Sequence, residues 1–148
     1  MNKRNKQPGF TLLEILLSIA IIAIIAGIGI PIYQSFQVRN DIDIAAAAYV
    51  QNLHRAQALS QAVDGDTSWG VYAVSGSITL FKGTSYAARD ITYDEIFNVS
   101  NSIVLSGISE IVFSKFTGLP QTTGTIILTS INNENRNITI NAKGMVNY

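Results

Sequence analysis

The sequence contains no cysteine and a single histidine, His54. These absences exclude disulfide frameworks, thiolate zinc sites and cysteine nucleophiles, and they remove almost every mechanism that needs a histidine base. The helical neighbours of His54, Val50 and Ala58, include no carboxylate that could orient the imidazole. The sequence therefore predicts a protein that is not an enzyme and that binds no cofactor and no metal.

Charge is scarce as well. Charged residues make up 14% of the chain, against a usual share of about 25%. Ten Lys and Arg balance ten Asp and Glu, so there is no basic field to hold nucleic-acid phosphates. Hydrophobic residues reach 47%, which is too apolar for a disordered chain. The composition disfavours a nucleic-acid partner and indicates contact with lipid or with another protein.

The few charges are segregated near the N-terminus. Residues 1–9, MNKRNKQPG, carry only basic side chains, and residues 10–32 carry one charge, Glu14. This apolar stretch would rise about 35 Å as a helix, enough to cross a hydrocarbon core of about 30 Å. Because basic residues precede the stretch, the N-terminus is expected in the cytoplasm and everything after residue 33 outside it. Tyr33 and Phe36 would lie at the outer interface or pack in a core.

A secretory signal peptide is the alternative to a membrane span. Its apolar region is only about 7 to 15 residues long and ends in a small-x-small cleavage site. The best site here is Gly27-Ile28-Gly29, which has no polar stretch before it and Pro31 almost directly after it. Length and context therefore favour an uncleaved span over residues 10–33.

Glu14 is an acidic residue within the predicted membrane span, where a charged side chain raises the free energy of insertion into lipid. The cost is about 2.5 to 3.5 kcal/mol at the centre of a span and less near its end, whereas the helix dipole returns only about 0.3 to 1 kcal/mol. A cut just before Phe10 would create an amine at the same depth, either in this chain or on a neighbour. The alternative is a carboxyl that stays protonated or reaches the cytoplasmic interface.

The string KQPGFTLLE at residues 6–14, followed by an apolar run with Pro31 near its end, resembles the class III signal of type IV pilins and type II secretion pseudopilins. The resemblance implies that a prepilin peptidase cuts between Gly9 and Phe10 and methylates the Phe10 amine. It also implies that Glu14 pairs with the N-terminal amine of a neighbouring subunit during assembly. The implied partners are other pilin or pseudopilin subunits, the prepilin peptidase, the inner-membrane assembly platform and membrane lipid.

Pro31 falls where members of this family often carry a helix-bending proline. Proline removes a helical hydrogen bond, and glycine costs about 1 kcal/mol relative to alanine. With Gly27 and Gly29 just before it, Pro31 predicts a local irregularity of the helix. The alternative is that the irregularity has no role of its own and is simply tolerated in a membrane helix.

Residues 42–63 carry apolar side chains at steps of three or four, the pattern of an amphipathic helix. Joined to the span, they predict one helix of about 50 residues, ended by Asp64-Gly65-Asp66 because glycine commonly follows a helix C-terminus. Asp64 and Asp66 are interpreted as turn residues, since a calcium loop needs several more oxygen ligands. Polar residues such as Asn52 and Arg55 are expected mostly off the apolar face.

After Asp66 the period changes to about two, which predicts strands. Hairpin turns are expected at Ser75-Gly76 and around Asn132 to Asn135, and an exposed connection over residues 83–94. The predicted fold class is α+β: a long N-terminal α-helix, membrane half plus amphipathic half, packed on an antiparallel β-sheet head. The predicted divisions are a leader (1–9), a membrane helix (10–33), its amphipathic half (34–64) and the head (65–148). The predicted strands are 68–74, 77–81, 96–99, 103–105, 110–115, 125–130, 137–141 and 145–148.

The C-terminal part resembles the closing strands of the GspH/FimT group of minor pseudopilins and pilins. The similarity lies in residues 111–113, 124–128 and 136–140, in Gly118 and Gly144, and in the helical segment 53–59. The predicted function is a structural subunit, a minor pilin or pseudopilin, stored in the inner membrane and assembled into a filament. A secretion pseudopilus, a type IV pilus and a DNA-uptake pilus all stay open. The alternative is a signal-anchored, single-span protein whose extracytoplasmic β-rich domain binds a partner without polymerising.

Overall fold

A computed structural model of the protein describes residues 9–148, without the side chains of residues 28–31. The predicted leader, apart from Gly9, lies outside the described residues. The chain divides into two units, Met1–Phe36 and Gln37–Tyr148, which are called here the N-terminal unit and the C-terminal unit. Each is described by itself.

One long helix, α1, runs from Leu12 to Gln61, which confirms the predicted helix. The helix ends three residues before the predicted Asp64. Val63, two residues after the helix end, has left-handed backbone (φ 57°), a conformation that is uncommon for a β-branched residue. A 3-10 turn at Asp64–Asp66 follows, as expected for turn residues. Gly27, Gly29 and Pro31 all lie within α1, and the irregularity predicted there stays a prediction because the side chains of residues 28–31 are outside the described set.

Two antiparallel four-stranded sheets follow the helix, so the fold is α+β as predicted. In the first sheet the spatial order is β3-β2-β1-β5, and in the second it is β4-β6-β7-β8. The strands are β1 (Trp69–Val74), β2 (Ser77–Lys82), β3 (Asp90–Asn98), β4 (Ile103–Gly107), β5 (Glu110–Phe113), β6 (Gly124–Ser130), β7 (Asn135–Ile140) and β8 (Val146–Asn147).

The core lies between α1 and both sheets of the C-terminal unit. Tyr49 and Leu53 of α1 are fully buried and belong to one apolar cluster with Leu80 of β2 and Ile138 of β7. Burying a side chain of this size stabilises the fold by about 1.5 to 3 kcal/mol. The apolar face predicted from the helical period therefore contacts strands of both sheets.

The prediction that polar residues lie off the apolar face of the helix is wrong for Asn52, which is buried. Its Nδ2 donates to the carbonyl oxygen of Ala48 at 2.8 Å, so the amide is satisfied within the helix itself. Ser60 is also buried, and its hydroxyl accepts a hydrogen bond from the backbone N–H of Trp69 at 2.9 Å. That bond ties the end of α1 to the start of β1.

Both predicted hairpins are confirmed, since Val74 pairs with Ser77 and β6 pairs with β7. The connection predicted over residues 83–94 is a strand from Asp90 onward, where β3 begins, although residues 90–93 are exposed as predicted. The first half of the connection is partly buried, because the Tyr86 ring stacks on Tyr72 with centroids 3.9 Å apart. Acidic residues are depleted in strands, and for this reason the sequence pattern did not predict the first half of β3.

A chain truncated to residues 37–148 is expected to be a soluble monomer with a mixed helix and strand spectrum. All residues of the apolar core lie within this unit, and the exposed apolar helix before it is removed. Size-exclusion chromatography and far-ultraviolet circular dichroism check this. Insolubility of every such truncation, or a purely helical spectrum, would contradict a self-contained C-terminal unit.

The Tyr49 hydroxyl is buried and has no hydrogen-bond partner among residues 9–148, and burial raises the pKa of this phenol. A buried unsatisfied polar group costs about 1 to 3 kcal/mol. Tyr49→Phe is therefore expected to leave the free energy of unfolding unchanged or raise it, whereas Tyr49→Ala should lower it by about 3 to 5 kcal/mol. Urea unfolding measures both, and a clear loss of stability in Tyr49→Phe would show that the hydroxyl is bonded.

Candidate processing and assembly site

The bond between Gly9 and Phe10 lies just before the first turn of α1. Gly9 is exposed and the Phe10 side chain is 81% exposed. A Cβ placed on Gly9 would meet no described atom within 4 Å. Packing within the described part of the chain therefore places no demand for glycine at this position, and the residues on both sides of the bond are exposed.

Thr11 caps the start of the helix. Its hydroxyl oxygen accepts a hydrogen bond from the backbone N–H of Glu14 at 3.3 Å, and its carbonyl oxygen accepts from the N–H groups of Glu14 and Ile15. A threonine followed three residues later by glutamate is the order of a capping box. The role of Thr11 as the helix cap was not predicted from the sequence, although the spacing of Thr11 and Glu14 indicates it. The cap fixes where the helix begins and places Glu14 in its first turn.

Glu14 is exposed in the first turn of α1. Its carbonyl oxygen accepts a hydrogen bond from the Ser18 hydroxyl at 2.8 Å. Among the ion pairs of residues 9–148, none includes Glu14. The main chain of Glu14 is thus held by Thr11 and Ser18, whereas its carboxylate forms no ion pair with the part of the chain that the structure describes.

Apart from Thr11 and Ser18, the side chains of the helix near this carboxylate are apolar. The best 18-residue window has a mean hydropathy of 2.8, and none of that window is buried. By length and composition α1 can cross a membrane. Its exposed large apolar side chains between residues 12 and 25 are Leu12, Leu13, Ile15, Leu16, Leu17, Ile19, Ile21, Ile22, Ile24 and Ile25.

The described residues offer little to a metal or a substrate. No group of three or more His, Asp or Glu side chains that could hold a metal ion occurs within residues 9–148. His54 is exposed on α1. A small open cavity of about 80 Å³ in the C-terminal unit has walls of apolar and polar residues: Asp41, Ile44, Ala45, Ala48, Asn98, Val99 and Ser100.

Residues 4–30 match the family model of the prokaryotic N-terminal methylation motif. The match includes Gly9, Phe10 and Glu14, and it supports a type IV pilin-like protein that is processed as a prepilin and anchored by its apolar N-terminal helix. Proteins of this kind are structural subunits that assemble with one another. No curated protein and no solved structure matches the chain.

Proposed function

We propose that the protein is a structural subunit, a minor pilin or pseudopilin, of a type IV pilus-like or type II secretion filament. The prepilin peptidase cuts it between Gly9 and Phe10 and methylates Phe10. The observation that carries this proposal is the coincidence of the methylation motif at residues 4–30 with an exposed bond directly before a capped helix. Before assembly, the subunit is held in the inner membrane by α1, with the C-terminal unit outside the cytoplasm.

Glu14 carries the assembly step in this proposal. Cleavage leaves a cationic amine on Phe10, and methylation of an amine keeps that charge. In hydrocarbon, an amine without a counter-charge is strongly unfavourable, so an incoming subunit is stabilised when its amine meets the Glu14 carboxylate of a neighbour. The exposed apolar sides of α1 then pack against the helices of other subunits. The assembly platform of the inner membrane delivers the subunits.

Assignment to the GspH/FimT group is the finer part of the proposal. The segments that carry that resemblance form β5, β6 and β7 and the last turns of α1. Gly118 and Gly144 both lie in connections with positive φ, where glycine is favoured. A C-terminal unit of two antiparallel sheets packed on one helix is compatible with a subunit that forms the outer surface of a filament with this unit.

The test is the protein content of sheared and purified filaments from cells that express the chain with its secretion or pilus system. We expect the chain to co-purify with the other subunits and to disappear from the filaments when the prepilin peptidase is deleted. Deletion of the peptidase should leave the chain in the membrane fraction, which serves as the control. A processed chain that stays in the membrane and never enters filaments would favour an anchored binding protein.

A further inference from the structure

The C-terminal unit has one end where α1 enters it, and three strand connections lie there. Arg39, in the first turn of the unit, bonds Glu134 at 3.1 Å, so the tip of the β6–β7 hairpin lies at this end. Ile103 pairs with Ser130, and Val99 N–H donates to Gly76 O at 3.0 Å. Residues 75–76, 99–102 and 131–134 therefore form one surface, called here the junction end.

The junction end is nearly free of charged loop residues, unlike the opposite end. Residues 75–76, 99–102 and 131–133 contain no charged side chain, and the carboxylate of Glu134 is matched by Arg39. The opposite end is formed by residues 62–68, 83–89, 114–119 and 141–145. Those connections carry Asp64, Asp66, Arg89, Lys115 and Lys143.

Exposed aliphatic side chains accompany these uncharged loops. Ile131 is 71% exposed at the hairpin tip, beside Asn132 and Asn133, and Val104 is 57% exposed near the start of β4. Exposure of aliphatic side chains to water is unfavourable, and uncharged amides and hydroxyls cost far less to desolvate than charges do. A surface of this composition therefore gives up little free energy when it leaves open solvent for the headgroup zone of a bilayer.

Two ion pairs hold the hairpin against the helix at the junction end. Besides the pair of Arg39 with Glu134, Arg136 Nε lies 2.8 Å from Asp43 Oδ1. These four charges form two pairs of opposite sign on two neighbouring elements, and Asp41 is a further charge at this end, in the cavity wall beside Val99 and Ser100. The hairpin tip is thereby fixed beside the residues through which α1 enters the unit.

We propose that the junction end rests on the headgroup zone of the membrane that holds α1, with Ile131 in contact with lipid. The inference depends on the membrane anchorage in the proposed function. The predicted span ends at residue 33, and the chain from Tyr33 to Arg39 can extend over at most about 20 Å. That tether gives the junction end a high effective concentration at the bilayer, so a single aliphatic anchor is enough.

Because the chain has no cysteine, a single introduced cysteine carries a fluorophore at a chosen site. Asn132→Cys places the reporter beside Ile131, and Phe116→Cys is the matched control, since Phe116 is 68% exposed in the loop 114–119 of the opposite end. Each full-length labelled chain is placed, one per nanodisc, in phosphatidylcholine with or without nitroxide-labelled lipid. We expect several-fold stronger lipid quenching at position 132 than at 116, and a loss of that difference when Ile131→Asp is added.

Equal quenching at the two positions would overturn the proposal. So would a reporter at 132 that lacks lipid quenching and is shielded only when many chains share one vesicle, because that result would show contact with a second copy. Membrane retention of each variant is measured in the same samples. A chain that is retained without quenching refutes this inference alone, whereas a chain that leaves the bilayer refutes the anchorage as well.

Discussion

A Gly9→Leu chain is expected to accumulate as the uncut precursor, with maturation slowed at least roughly 100-fold. A protease subsite that fits the hydrogen of glycine excludes a larger side chain, and even one misfitted methylene changes the rate roughly 10- to 200-fold. A Cβ added at Gly9 would meet no described atom of this protein within 4 Å. The substitution should therefore act on the protease step and leave the fold of the C-terminal unit unchanged.

Gly27→Leu is the matched control, because a Cβ added at Gly27 would likewise meet no described atom within 4 Å beyond its neighbouring residues and the adjacent helix backbone. The rate of maturation is followed by pulse labelling in cells that contain the prepilin peptidase. Gly27→Leu should mature normally, since the cut proposed here lies before Phe10. Normal maturation of Gly9→Leu would remove the prepilin-peptidase interpretation, and a block in Gly27→Leu would instead indicate signal-peptidase cleavage near Gly27.

A Glu14→Leu chain should insert into the membrane at least as well as the wild type and yet be lost from filaments. Removing the carboxylate removes an insertion cost of up to about 2.5 to 3.5 kcal/mol. Assembly should nevertheless fall, because the amine of an incoming subunit would be left in hydrocarbon without a counter-charge. That penalty is several times larger than the 0 to about 1 kcal/mol of an exposed ion pair.

Two further variants separate charge from shape at position 14. Glu14→Gln keeps the length of the side chain without its charge and should assemble as poorly as Glu14→Leu, whereas Glu14→Asp should be intermediate. The Thr11 cap and the Ser18 bond use the main chain of Glu14, so all three variants keep them. Filament incorporation beside wild-type subunits is measured at equal membrane level. If Glu14→Leu assembles like the wild type, the pairing mechanism is wrong for this protein.

The helix and the hairpins could be predicted from the sequence because their signals are local. The apolar run, the step of three or four after Ile42, and the turn at Ser75-Gly76 each report on residues that are neighbours in the chain. Residues Gly9 and Glu14 stood out for the same reason, since one lies between a basic leader and an apolar run and the other is a lone charge within it. The processing and assembly roles drawn from them stay proposals.

The features that could not be predicted depend on partners far along the chain. β3 begins at Asp90 among acidic residues, and the carboxylate of Glu95 in this strand is paired with Arg55, 40 residues earlier in the chain. The pairs of Arg39 with Glu134 and of Asp43 with Arg136 join residues that no local pattern connects. Their geometry follows from the packing of α1 on the sheets, which the sequence period does not specify.

The intact mass of the mature chain, isolated from the membrane of cells that contain the prepilin peptidase, tests the central claim most directly. The account predicts a chain of residues 10–148 with one added methyl group on the Phe10 amine, and an uncut chain in cells without the peptidase. A mature chain that retains residues 1–9 in the presence of an active peptidase, or that begins after Gly29, would contradict it.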